Sequence, residues 1–325
     1  MKLPRRNFLQ LAAGAAALPV VSRFAWAQAC PARLVRVIVP SSAGSATDIA
    51  ARLIGQWLSE RLGQPFIVEN RVGAGGNVGT EMVVRSAPDG YTLLMVNGAN
   101  AISATLYENL NFNFIRDIAP VASVMRTPVV MEVHPSVPAN TVPEFIAYAQ
   151  ANPGKIAMAS AGNGSIHHVA GELFKMMARI DLLHVPYRGA PPALTDLIGG
   201  RVQVMFDVLP SSIEYIKASK LRALAVTAAA RSEVLPEIPT VGEFVPGYEA
   251  SGWIGVGAPK ATPAEIVDKL NKEINVALAD PKMRARLSDL GSAVFASSPA
   301  EFTNFIAAET EKWGKVIKFA GIKSE

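Results

Sequence analysis

VRVIVPSSAGSATDIAARLIGQWLSERL, residues 35–62, decides the fold. It reads as a strand, a loop of small residues and an amphipathic helix. Val35, Val37 and Val39 alternate with Arg36 and Ile38 at the period of a strand, and Pro40 stops it. Residues 41–47 carry only small side chains, so a ligand can come close to the backbone. Ser45-Ala46-Thr47-Asp48 has the spacing of a capping box, with Ser at the N-cap and an acid at N3. Ile49, Leu53, Trp57 and Leu58 then share a stripe. The free N–H groups of such a helix start, with the positive dipole end behind them, attract anions. This predicts a chain built around one anion-facing turn, with a second lobe that closes on it.

Strand and helix signals alternate outward from there. PFIVE (65–69) is a short strand, followed by the glycine-rich turn GAGGNVG (73–79) and a helix through Val84. YTLLMV (91–96) is the near-continuous apolar run expected inside a parallel sheet. Strands over 118–125 and 129–133 are separated by Thr127-Pro128. A strand at 155–159 leads into SAGNGS (160–165) and a helix over 167–178. A strand at 202–206 precedes a helix from Pro210. Further capping boxes stand at Thr141, Thr262 and Ser298, each with its Glu three residues on. The pattern is α/β, read as two doubly wound lobes. The chain is expected to cross between lobes near 125–131 and 226–252. Lobe one is then 30–130 plus 250–325, and lobe two 131–249. Ligands of such sheets bind beyond the carboxyl ends of strands.

Residues 1–29 read as a secretory signal rather than as fold. Lys2, Arg5 and Arg6 precede a short apolar run, and small-x-small cleavage sites end at Ala27 and Ala29. Arg5-Arg6-Asn7-Phe8-Leu9 suits twin-arginine export, with Pro4 where Ser or Thr is usual; general secretion is the other route. A run of about 14 residues is short for a membrane span, which takes about 20. The segment holds four basic residues and no acid, so its removal takes the chain from +4 to neutral. The basic whole-chain balance therefore gives no reason to expect nucleic acid. Cys30 is the only cysteine, which excludes an internal disulfide. It is an incidental residue or, if the cleavage point falls before it, a lipidation site.

No G-x-S-x-G elbow, H-E-x-x-H or P-loop is present. His167 and His168 are adjacent, so they do not share a helix face and make a poor metal pair. No metal and no cofactor is expected. The turn at 73–79 has the spacing G-x-G-x-x-x-G, which fits close helix–strand packing, anion binding through amides, or a nucleotide. Ser160, Asn163 and Ser165 serve as caps or as ligand donors. His168 is a buried hydrogen-bonded ring or a contact. Asp48 is a helix-start acid or a site residue. Arg188 is a carboxylate partner or an exposed loop residue. Asp207, at the end of an apolar strand where ligands sit, is a candidate site acceptor for a ligand N–H, a hydroxyl or an ordered water. Trp57, Trp253 and Trp313 are simplest as packing. Several small-residue helix starts without an acid–base or metal set suit holding an anion better than transforming one.

At the level of whole motifs the chain resembles the solute-binding receptors of tripartite tricarboxylate transporters, also called Bug proteins. The likeness is carried by VRVIVPSSAGSATDIAARLI (35–54), LGQPFIVENRVGAGGNVGTEMV (62–83), PDGYTLLM (88–95), SAGNGSIHHVAGELF (160–174), HVPYRGAPPALTDLIGGRVQVMFD (184–207), LRALAVTAAARSEVLPEIPTVGE (221–243) and APKATPAEIVDKLN (258–271). It implies a two-lobed, hinged Venus flytrap of the type II periplasmic-binding-protein kind. It implies a small organic carboxylate held by amides, hydroxyls and ordered waters. By motif, the lobe-one contacts fall on Ser42, Ala43, Gly44, Ser45, Thr47, Asp48, Gly75, Gly76, Asn77, Asn97 and Gly98. Those of lobe two fall on Ser160, Gly162, Asn163, Gly164, Ser165, His168, Arg188, Gly189 and Asp207. The partners implied are the membrane subunits of the transporter, with the receptor a periplasmic monomer. A sensor input to a histidine kinase, or a secreted enzyme on the same fold, are the alternatives. Two departures stand out. Ser41 and Ser45 replace an aromatic and a glycine of the usual first loop, and Asn100 stands where a His is expected. The extra hydroxyl suits a polar or hydroxylated ligand.

Overall fold

A computed structural model describes residues 31–107 and 109–322; the expected signal segment and Cys30 lie outside them. The chain opens with β1 (Val35–Val39), α1 (Ala46–Leu62), β2 (Phe66–Asn70), α2 (Asn77–Val84), β3 (Thr92–Asn97), α3 (Gly98–Leu106) and α4 (Phe114–Asp117). The long β4 (Ile118–Val133) follows, then α5 (Val142–Ala151), β5 (Ala157–Ser160), α6 (Ile166–Ala178), β6 (Leu183–Pro186) and α7 (Ala190–Ile198). Next come β7 (Val204–Val208), α8 (Leu209–Lys217), β8 (Arg222–Val226) and β9 (Ser251–Pro259). The chain returns through α9 (Ala264–Ala279), α10 (Pro281–Asp289), β10 (Ala293–Val294) and α11 (Pro299–Ala320).

Strand order is β2-β1-β3-β9-β4-β7-β5-β6, with β8 and β10 also paired to β4. β4 is the element common to both halves. Its first part, Ile118 to Pro128, runs antiparallel to β9, and its last part, Val129 to Val133, pairs with β7 and β8. Two separate strands were expected here. One continuous strand forms because Pro128, which has no N–H to give, sits where the partner changes. The return crossing lies beside it: Thr227 N donates to Val129 O, and Ala250 N to Thr227 O. β3 is parallel to β1 on one side but antiparallel to β9 on the other, so the sheet is mixed rather than wholly parallel.

Helix α1 buries Ala50, Ala51, Ile54 and Leu58, while Ile49, Leu53 and Trp57 are only half-buried. The buried face is thus turned by about one residue from the expected stripe. Two alanines against the sheet allow closer approach, and the larger side chains pack at the margin. The capping boxes form unevenly. Ser298 and Glu301 make both bonds. Ser45 and Thr141 cap the N3 amides, but Asp48 and Glu144 reach past them to Gly44 N and Asn140 N. At α9 the box fails: Pro263 is the N-cap, no side chain caps it, and Thr262 Oγ1 is buried without a partner.

Candidate functional site

A cavity of about 590 Å³ lies where the loops at strand ends converge. Its wall is drawn from the β1–α1 loop, the 73–76 turn, the β3–α3 junction, the β5–α6 loop, the β6–α7 loop and the crossing strands. Each loop is held by its own side chains. In the first, Asp48 Oδ2 accepts from Gly44 N and Arg52 Nε, and Oδ1 from Arg52 Nη2 and Asn70 Nδ2. Burial pushes the Asp48 carboxyl up; the bonds from Arg52, Gly44 and Asn70 outweigh that and hold it below its ordinary value. Asn70 also donates to Ser41 O, which pins the loop to β2.

The β3–α3 junction is a capping box that sequence reading passed over. Asn97 Oδ1 accepts from Ala99 N, and Asn100 Oδ1 from Asn97 N. Asn97 Nδ2 reaches Thr47 Oγ1 at 3.1 Å, tying the start of α3 to the start of α1. Asn100 Nδ2 donates to Thr80 Oγ1, which in turn donates to Gly76 O. The Asn at the expected His position is therefore a buried strut.

In the β5–α6 loop, Ser165 caps His168 N and donates to Gly162 O. Ser160 Oγ lies 2.7 Å from His184 Nε2, and His184 stacks on His168 with centroids 3.9 Å apart. His168 Nδ1 accepts from Gly164 N, and burial, with Lys175 nearby, pushes this imidazole down to about 4. The ring is neutral and structural.

Of the residues expected at the site, Ser42, Ser45, Thr47, Gly75, Gly76, Asn97, Gly98, Gly162, Asn163, Ser165, Arg188 and Gly189 line the cavity. Ala43, Gly44, Asp48, Asn77, Ser160, Gly164, His168 and Asp207 do not; they sit behind or beside the wall. Asp207 is fully buried, bonded to His167 Nε2 and to its neighbour's amide Val208 N. Sequence reading passed over Tyr107, Thr127, His167, Tyr187, Ser211 and Trp253 on the wall. Ser211 had a usable signal, since it lies in the first turn of a helix just beyond a strand end. Thr127 lay in the Thr-Pro interruption already marked.

The two halves meet across this cavity. Ser42 Oγ donates to Arg188 O at 2.6 Å, and Ala46 N donates to Ser211 Oγ at 3.2 Å. Gly75 has φ 63°, and a Cβ there would lie 3.1 Å from both Asn163 O and Tyr107 Oη. Gly189 has φ 111°, and a Cβ there would overlap Ser42 Oγ. Gly189 requires glycine for conformation and for close approach, while a side chain at Gly75 would be strained and crowded.

The wall offers donors. The starts of α1, α3, α6 and α7 contribute, since first-turn N–H groups lack intrahelical acceptors. At α7 the second and third positions are Pro191 and Pro192, so Ala190 supplies the only amide of the three. Hydroxyls of Ser41 and Thr47 add to these. Arg188 is the one arginine among the described lining residues, and no Asp or Glu is among them. No group of three or more metal-ligating side chains exists among the described residues. No helix among them is long and apolar enough to cross a membrane. The arrangement suits an anion held mostly by neutral donors.

Comparison with known proteins agrees. Residues 50–322 match the model of the "Tripartite tricarboxylate transporter family receptor". Protein BugT of Bordetella pertussis is 36% identical over 296 residues, 90% of this chain and 91% of its own. Among solved structures, R. palustris Rpa4515 with adipate has TM-score 0.89 at 37% identity, covering 90% of this chain and 99% of that one. MatC (Rpa3494) from Rhodopseudomonas palustris, with bound malate, has TM-score 0.85 at 32% identity, covering 88% and 99%.

Proposed function

The chain belongs to the tripartite tricarboxylate transporter receptor family, and from that premise we propose that it captures a small organic carboxylate between its lobes in the periplasm and hands it to transporter membrane subunits. It is a solute-binding receptor of α/β, two-lobed architecture. The observation that carries the ligand class is the wall itself: helix-start amides, hydroxyls and Arg188, with no acidic side chain among the described lining residues. A carboxylate is matched by such donors, and in a dry cleft each is worth more than in water. The adipate and malate held by two relatives support the same class.

Binding proceeds by closure. The acid docks on the starts of α1 and α3 in lobe one. Lobe two then brings down Asn163, Arg188 and Ser211, and the Ser42–Arg188 and Ala46–Ser211 contacts seal the edge. The lobes in this reading are 30–130 plus 250–325 and 131–249. The partner change of β4 at Pro128 and the Thr227–Ala250 pairing beside it supply the hinge. The ligand leaves unchanged; no turnover is part of the reading.

Thermal-shift screening of mono-, di- and tricarboxylates tests it. At least one acid raises the melting temperature, and at a hundredfold excess over Kd the gain is about 2.7 kcal/mol. Silence across the whole panel, with no acid found by native mass spectrometry of the purified protein, overturns it.

A further inference from the structure

The sequence holds two Asn-Gly pairs, Asn97-Gly98 and Asn163-Gly164, and both asparagines line the cavity. A glycine after asparagine leaves the carboxamide open to the next backbone nitrogen, because no Cβ stands in the way. The fold holds the two pairs differently. Asn97 Oδ1 accepts from Ala99 N at 3.0 Å, and Nδ2 donates to Thr47 Oγ1 at 3.1 Å. Gly98 is also the first residue of α3. Gly98 N can reach Asn97 Cγ only if those bonds break and the helix start opens.

Asn163 has no such restraint. Among the described residues no hydrogen bond engages its carboxamide, and the side chain is only half-buried, in a turn outside any helix. The backbone around it is fixed. Ser165 Oγ donates to Gly162 O, and Gly164 N donates to His168 Nδ1 at 3.2 Å. Gly164 has φ 72°, and a Cβ there would overlap Leu106, so the position behind Asn163 requires glycine. The His168 ring is neutral, which leaves Nδ1 as an acceptor for the Gly164 N–H proton.

We propose that Asn163-Gly164 is a self-modification site, at which a carboxamide on the wall of the anion cleft is converted to a carboxylate. Gly164 N bonds to Asn163 Cγ as its proton passes to His168 Nδ1. The Cγ–Nδ2 bond breaks, and Nδ2 leaves as ammonia, taking up that proton through solvent. Water then opens the cyclic imide at either carbonyl. One opening gives Asp, and the other gives isoaspartate with an extra methylene in the backbone. Both put a negative charge on a wall whose described residues include no Asp or Glu. In a cleft drier than bulk water that charge repels an incoming acid more strongly than water would allow. This consequence rests on the carboxylate reading above; the conversion itself does not.

Incubation of the folded protein in mildly alkaline buffer, with peptide mapping over time, tests it. Trypsin releases Asn163 in the peptide 156–175 and Asn97 in the peptide 86–116. Peptide 156–175 gains the mass of an NH2-to-OH exchange and resolves into Asp and isoaspartate forms. It does so at least about tenfold faster than Asn97 in the other peptide, whose hydrogen bonds must first break. Asn163→Ser stops the gain. Asn163→Asp, the permanent product, raises the Kd for adipate or malate, the acids held by two relatives, by at least about tenfold in calorimetric titration. A folded protein in which 156–175 stays unchanged, while the same peptide cut free converts, overturns the site. Equal conversion of Asn163 and Asn97 overturns it too. An Asn163→Asp variant that binds as tightly as the wild type overturns the effect on binding. A wild type that binds neither these nor any other acid of the screened panel overturns the carboxylate reading, and that effect with it; the mass gain then decides the site alone.

Discussion

At the scale of single residues, the two neighbouring imidazoles have different partners: His167 bonds to Asp207, and His168 stacks on His184. His168 is stacked and buried, with its ring pushed down from 6.5 to about 4. Between those values the unfolded chain takes up a proton that the fold refuses. The stabilisation is therefore complete above about pH 6.5 and is lost as pH falls toward 4, by roughly 3 kcal/mol at most. Melting curves from pH 7 to 4 should show this slope, and His168→Asn should flatten it. Glu132 works in the opposite sense. Its carboxyl is raised, so its contribution is greatest below the ordinary Glu value and shrinks as pH rises. The acid-side difference between wild type and His168→Asn should therefore persist in a Glu132→Gln background.

At the scale of elements, two helix starts with the same spacing behave differently. Ser298 and Glu301 complete a reciprocal box at α11. Ser298→Ala should cost about 1 kcal/mol in chemical denaturation. Thr262 has the same relation to Glu265, yet Pro263 is the N-cap of α9 and the Thr262 hydroxyl is buried unpaired. Thr262→Val should be neutral or should stabilise by up to about 1 kcal/mol. A loss at Thr262 equal to that at Ser298 would contradict the geometry. The helix starts at α1 and α3 carry a further task, because Asn97 links them through Thr47 and sets their spacing at the cavity.

At the scale of the molecule, closure depends on a few cross-cleft approaches. Gly189 lets the β6–α7 loop pass against Ser42. Gly189→Ala should strain a positive φ and block that approach together. The expected result is a rise in Kd of about tenfold or more. The unliganded melting temperature should fall far less than that loss implies, because an open form relieves the overlap. Small-angle scattering should show the variant staying expanded with ligand present. Equal Kd in variant and wild type would mean that this contact is not part of the bound state.

Much of this organisation was legible in residue order because it rests on local chemistry. Small-residue loops, capping spacings and alternating strand and helix periods gave the α/β pattern, the two lobes and the loops that line the cleft. Those signals act over a few residues, where backbone preference and hydrogen bonding are decided. Which loop residue faces the cleft was not local. Asp48 and Ser160 were spent on Arg52, Asn70 and His184, partners that the fold supplies. The continuity of β4 through Pro128 followed from having β9 on one side and β7 and β8 on the other. The separation of His167 from His168 followed from where Asp207 and His184 came to lie. Sequence by itself determined the architecture and the chemistry of the loops, because both are written in short-range pattern. The tertiary structure alone decided which donors remain free for a ligand, because a polar group's availability depends on every neighbour that competes for it.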